Sequence, residues 1–394
     1  MHVRGWIKDV MYGLIIFGIC AALILVVSVA ADNIVAKHNA VIVSKNVNSN
    51  LDYDDSLCMS VDNVSGSEND ENVNLACDGK EQDNNNINDK KIACWGDSIT
   101  YGLGGQENTY IKSEAGIIDA SNWNYPDTLR YYTGMDVYNL GVCGETSYEI
   151  ALRQGGIKMY VGKQVTVKPG KRTQISIVDE SGNPVILENF NGYETDNQQP
   201  ENVVYINDIP FKLEYDNSRI YISIYDNAVD KSVKLKKGSQ IITKAAHDIS
   251  GDVLVIQMGS NGGWNDYDEL IEQYKAMIAN SGTECYIIIG DTDNPEESVD
   301  SANYTSGQKI GTDDSMWEAA LREAFGEHFI NMRTYLLENA LNIAGLEPTQ
   351  MDEEDLSQGR VPETIKYDYT HLNSYGYYAI GYGVYEKGLE LGYW

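Results

Sequence analysis

The sequence predicts an α/β protein: a parallel sheet covered by helices on both faces, carrying a β-rich insertion and preceded by an apolar N-terminal helix. Three observations lead there. Short apolar runs alternate with helical segments over residues 91–155 and again over 248–394. Between these stretches, at 156–247, the hydrophobic period falls to two. Ahead of them, Val10 to Ala31 is apolar and holds no charged residue.

From the N-terminus onward, that apolar run is long enough to cross a bilayer as a helix. Arg4 and Lys8 on its N-terminal side place residues 1–9 in the cytoplasm and the rest of the chain outside. Residues 10–31 are therefore expected to form a transmembrane signal anchor. Ser28, Val29 and Ala30 offer a small-x-small site, and cleavage there would give a secreted chain instead. Cys20 has no small-residue lipobox before it, so a lipoprotein is not expected.

Residues 32–90 are dominated by Asn, Asp, Ser and Glu, with one short apolar patch from Ala40 to Val43. Such a composition buries too little surface to offset its ordering entropy, and a disordered stalk is expected. Cys58 and Cys77 lie in it, open either to pairing in an oxidising exterior or to remaining thiols. Cys94, Cys143 and Cys285 fall in or beside strands and read as small apolar residues. Their spacing does not match a zinc site.

Lys and Arg number 29 against 59 Asp and Glu, a net charge of −30, which repels nucleic acid and anionic lipid headgroups. Neither is expected as a partner.

In the first α/β stretch, Ile92 to Gly96 reads as a buried strand. Ile99 to Asn122 is glycine-rich and irregular, Tyr125 to Tyr132 helical, Asp136 to Leu140 a strand, and Glu145 to Arg153 a helix. The alternation resumes at Val253 to Met258, Tyr267 to Asn280, Cys285 to Gly290, Ser315 to Phe325 and His328 to Asn331, with helices near Arg333 to Ile343 and Ser374 to Leu391. In the insertion, Phe211, Leu213 and Tyr215 alternate with Lys212 and Glu214, and Ile220, Ile222 and Ile224 with Tyr221 and Ser223. Val165 with Val167, Ile175 with Ile177, and Val233 with Leu235 repeat this period, so an antiparallel all-β domain is expected. Lys234, Lys236 and Lys237 read as one solvated strand face and turn.

The chemistry-bearing stretch is Ile92 to Gly102, I-A-C-W-G-D-S-I-T-Y-G. A strand that stops at Gly96, Asp97 and Ser98 presents one hydroxyl at its carboxyl end, which makes Ser98 the candidate nucleophile. A serine needs a base, a group that orients the base, and donors for an oxyanion. Of the five histidines, only His371 has an acid suitably placed: in Y-D-Y-T-H-L-N, Asp368 stands three positions before it. In a tight turn that carboxylate reaches Nδ1 and leaves Nε2 for the serine proton. Gly144, in N-L-G-V-C-G-E-T-S, follows a strand and has no Cβ to obstruct its N–H. Asn261, in Q-M-G-S-N-G-G, follows another and offers an amide. Each piece alone also reads as an ordinary turn, loop or structural pair. Their common placement at strand ends, where α/β sheets bind ligands, is what joins them.

These four pieces, in this order, resemble the blocks of the SGNH (GDSL) hydrolase superfamily, over about residues 91–153 and 248–394. One position departs from the pattern: the third block commonly continues with Asp, and here Gly262 follows Asn261. The resemblance implies a three-layer flavodoxin-like sandwich and two-step acyl transfer. Ser98 would act as nucleophile, His371 as base and acid, and Asp368 as its orienting group. The Ser98 and Gly144 N–H groups and the Asn261 amide would bind the oxyanion, with no metal or organic cofactor. Export, anchor and insertion point to removal of O-acetyl groups from cell-envelope or extracellular polysaccharide. A lipase- or thioesterase-like hydrolase, an acyltransferase, and a weakly catalytic glycan-binding protein are the alternatives. In that setting Tyr193, Tyr205 and Tyr221 of the insertion are candidate glycan-facing rings, or plain strand residues.

Overall fold

A computed structural model describes residues 90–113, 116–185, 202–216, 219–300 and 314–394. The expected anchor, the stalk with Cys58 and Cys77, and Tyr193 lie outside the described residues. Among the described residues no helix is long and apolar enough to cross a membrane.

The α/β part holds a five-stranded sheet of β1 (Lys91–Gly96), β2 (Asp136–Gly141), β3 (Val253–Gln257), β4 (Tyr286–Ile289) and β5 (Phe329–Ile330), in the order 2-1-3-4-5. Every neighbouring pair is parallel. The chain therefore winds one way from β1 to β2 and the other way from β3 onward. The crevice between β1 and β3 is the switch point at which such sheets take ligands.

A one-turn helix, α1 (Ser98–Tyr101), follows β1 directly. Strand alternation divides the apolar residues between two cores. Ile92, Cys94, Val253, Val255, Ile287 and Ile289 face one side. Ala93, Trp95, Leu254, Ile256 and Ile288 face the other. Helices α2 (Tyr125–Thr133), α6 (Met332–Ile343) and α7 (Ser374–Glu390) cover the first face, and α3 (Ser147–Gln154), α4 (Tyr267–Ser281) and α5 (Met316–Phe325) the second. Burying each Ile or Val of this sheet stabilises the fold by about 1.5–3 kcal/mol, which explains why strands buried on both sides read as unbroken apolar runs.

Helix starts are set by side-chain caps. Asn124 and Asp127 form a capping box at α2, and Ser315 and Glu318 another at α5. At α3 the box is Thr146 with Glu149, so the helix begins at Ser147 rather than at Glu145, where the apolar pattern alone puts it. Glu145 is left in the preceding turn. Residues 99–122, expected to be irregular, contain α1 and a hairpin of Tyr110–Ser113 with Gly116–Asp119, which buries Ile111 against Ile118. The strongly charged helix Gln350–Ser357 carries too little apolar periodicity to be read in advance.

Between Met159 and Thr243 the described residues form antiparallel strands. Seven of them share one sheet, in the order Thr173–Ile175, Arg219–Ile224, Ile209–Asp216, Val203–Ile206, Gln240–Thr243, Met159–Val161, Ile177–Val178. Val165–Val167 and Val233–Leu235 pair separately. Phe211, Leu213 and Ile222 are buried in its core, as their alternation requires. Leu152 of α3 joins that core, so the β-rich segment packs on the helix behind the site.

Candidate active site

The carboxyl ends of β1, β2 and β3 carry Ser98, Gly144 and Asn261 on successive loops. After β1 the chain turns abruptly into α1. A Cβ on Gly96 would meet Thr100 Oγ1 at 2.1 Å and Gln257 O at 2.4 Å, so only glycine fits the turn. Asp97 is the N-cap of α1, its Oδ1 accepting the Ile99 N–H at 3.0 Å, which sets Ser98 at the first helical position. Asp97 is fully buried and its other oxygen has no partner. Burial, opposed by the Ile99 N–H and reinforced by the nearby Asp291 and Glu145 carboxyls, pushes it up to about 7. A carboxyl that is partly neutral at that point limits negative charge beside the nucleophile.

Ser98 is nearly buried, 7% exposed, where β1 gives way to α1. His371 Nε2 lies 2.9 Å from that oxygen. On the other side of the ring, Nδ1 lies 2.9 Å from Asp368 Oδ2 and 3.0 Å from Oδ1. A neutral ring donating Nδ1–H to the carboxylate offers the Nε2 lone pair to the serine O–H. Burial opposes the charge on Asp368, but the His371 backbone N–H, the His371 ring and the Thr370 N–H outweigh it and hold the carboxyl below the usual range. Asp368 Oδ1 accepts those backbone N–H groups at 2.7 and 2.9 Å, so the turn itself orients the acid.

Other contacts hold the two loops together. Ser374 Oγ accepts the Gln106 N–H at 2.8 Å, and Tyr377 O–H donates to Leu103 O at 2.6 Å, tying the start of α7 to the loop after α1. Behind His371, Asn294 Oδ1 accepts the Val361 N–H at 2.8 Å and Lys366 Nζ meets Glu297 at 3.3 Å. The buried segment after β4 thus braces the approach to the histidine.

Gly144 sits in the turn after β2 with φ +77°, a left-handed backbone that favours glycine. The preceding Val142 donates its N–H to Gly96 O at 3.0 Å, holding this loop against the end of β1. Asn261 donates its amide to the Glu145 carbonyl at 3.1 Å, which ties the β3 loop to the β2 loop. That bond takes one of the amide's two hydrogens. With Gly262 in the place of an acid, the loop is held by other bonds. Gly262 O accepts from the Ser147 N–H at 3.0 Å, Trp264 Nε1–H donates to Gly259 O at 3.0 Å, and Gln273 Nε2–H donates to Gly263 O at 2.9 Å.

Reasoning from the sequence overlooked what stands beneath these loops. Glu145 and Arg153 form a buried ion pair, with Nη2 to Oε2 at 2.6 Å and Nε to Oε1 at 2.9 Å. Burial pushes Glu145 up, to about 7, against the pull of Arg153. Their spacing of eight residues carries no recognisable motif. Among the described residues there is no group of His, Cys, Asp and Glu that could hold a metal ion.

No protein-family model matches the chain, and neither does any curated protein. Among solved structures, one of a protein assigned to the G-D-S-L family of lipolytic proteins, from Desulfitobacterium hafniense DCB-2, is 12% identical, with a TM-score of 0.34 over 76% of this chain and 99% of that one. A second is 12% identical, with a TM-score of 0.31 over 77% and 98%. Likeness at that level leaves the chemistry to be read from the site itself.

Proposed function

We propose that this chain is a membrane-anchored extracytoplasmic serine esterase of the SGNH type, on a flavodoxin-like three-layer sandwich, that removes O-acetyl groups from cell-envelope or extracellular polysaccharide. The observation that carries the reading is the relay Ser98–His371–Asp368, with 2.9 Å on each side of the ring. His371 takes the Ser98 proton as Oγ attacks the ester carbonyl, and the ring, now charged, is stabilised by Asp368. The Ser98 and Gly144 N–H groups and the Asn261 amide face the oxyanion. The proton then passes to the leaving alcohol as the C–O bond breaks. Water, deprotonated by the same ring, releases the acid and restores Ser98.

The rim supports a sugar as the alcohol half. Tyr367 and Tyr369, on either side of Asp368, are 56% and 70% exposed, and Leu103 after α1 is exposed as well. Flat rings with polar tips, held on a rigid turn, suit a partner that is apolar on its faces and polar at its edges, as a pyranose is.

The test is acetate release by the full-length protein from an aryl acetate and from acetylated glycans, beside Ser98→Ala. The variant is expected to lose on the order of 10⁶ in kcat while keeping its Tm. Glycan retention without turnover would make the protein a binder, and turnover that survives Ser98→Ala would end the reading.

A further inference from the structure

We infer that Arg153, held by Glu145, is a positioning residue: it holds the ends of β1 and β2 in the relation that lets the Ser98 and Gly144 N–H groups address one oxygen. The inference rests on the esterase reading above.

Arg153 reaches from α3 into the sheet, where its Nη2 donates to Leu140 O at 2.9 Å and to Gly96 O at 3.3 Å. Gly96 stands two residues before Ser98, and Leu140 four before Gly144. One guanidinium therefore spans the last turns of both strands just before they release the loops that carry the donors. Its plane is fixed by Glu145, which accepts from Nε at 2.8 and 2.9 Å and lies 2.6 Å from the same Nη2, and the group lies over the Trp95 ring at 5.0 Å. Glu145 adjoins Gly144 in the chain, and its own carbonyl accepts the Asn261 amide. All three donor-bearing loops thus meet on this pair. The Arg153 carbonyl in turn accepts Thr243 Oγ1–H at 2.6 Å, so the last strand of the β-rich segment steadies the helix from behind.

The arrangement does more than join elements. A buried pair of this kind can be replaced by apolar residues of similar volume without loss of the fold. Apolar replacements cannot donate to two strand-end carbonyls. Misplacement of catalytic groups by about 1 Å costs about 10²-fold in rate.

The test compares the full-length wild type with Arg153→Met/Glu145→Gln, which leaves no unpaired charge, and with Arg153→Lys. The lysine variant keeps a charge for Glu145 but lacks the planar fork that bridges carboxylate and carbonyls. Three quantities are read: Tm, kcat and KM on an aryl acetate, and the rate at which an organophosphonate adds to Ser98 to form a tetrahedral adduct. Both variants are expected to unfold cooperatively, with kcat and phosphonylation down about 10²-fold and KM within about threefold of wild type. A folded double variant with wild-type kcat, or full rescue by lysine, overturns the inference alone. Failure of both variants to unfold cooperatively makes the pair a folding element and overturns it too. A wild type with no Ser98-dependent turnover overturns the esterase reading and this inference together.

Discussion

Arg153–Glu145 and Arg333–Glu318 are both buried arginine–glutamate pairs, each closed by more than one short contact. Arg333, in the first turn of α6, donates Nε to Glu318 Oε1 at 2.8 Å and Nη2 to Oε2 at 2.6 Å. Glu318 also accepts the Ser315 N–H at 2.6 Å, completing the cap of α5. That pair fastens the start of one helix to the start of another, from opposite faces of the sheet. The pair at Arg153 instead shares Nη2 between Glu145 and main-chain carbonyls at the ends of β1 and β2. The same two side chains serve folding in one place and geometry in the other, and what decides is the third partner, not the ion pair.

The comparison can be broken in several ways. Arg333→Ala leaves Glu318 buried without its partner and is expected to cost about 3–5 kcal/mol, read as a fall in Tm, with kcat per folded molecule unchanged. A matching loss of kcat in correctly folded protein would erase the distinction between the pairs. Asn261→Ala removes both a proposed oxyanion donor and the bond to the Glu145 carbonyl. Its kcat is expected to fall about 10²–10³-fold. An Asn261→Ala chain as fast as wild type would remove that residue from the oxyanion site.

The smallest effect concerns acidity. Asp97 is pushed up to about 7 by burial, whereas an unfolded aspartate titrates near about 4. Between those values the folded chain binds more protons than the unfolded one, so this group's stabilising contribution is complete below about pH 4 and is lost as pH rises through about 7. Asp368, held below the usual range, acts in the opposite sense: its contribution is present above about pH 4 and lost as pH falls through its folded value. Tm is therefore expected to peak in mild acid and decline toward about pH 8. Asp97→Asn keeps the cap at Ile99 and should flatten the decline. An unchanged slope in that variant would show that Asp97 does not set it.

Much of this is legible in the residues alone. Ser98 and Asn261 fall at strand ends because Ile92–Gly96 and Val253–Ile256 are uninterrupted apolar runs followed by glycine-bearing polar turns. The Asp368–His371 turn is legible because its two members are three residues apart. The hairpin at residues 110–119 is not, since Y-I-K-S and G-I-I-D each bury a single isoleucine. Nor is the start of α3, where a capping box outweighs the apolar pattern.

By itself the sequence determined the parallel-sheet architecture, the β-rich interruption and the identity of the chemical groups. These follow from hydrophobic period and from local turns, which act over a few residues. Only the tertiary structure decided that Nε2 of residue 371 meets the hydroxyl of residue 98, that Glu145 leaves its helix to hold Arg153, and that this guanidinium spans the ends of two strands. Those relations depend on long-range packing and on which buried donor finds which buried acceptor, and no local pattern of residues encodes them.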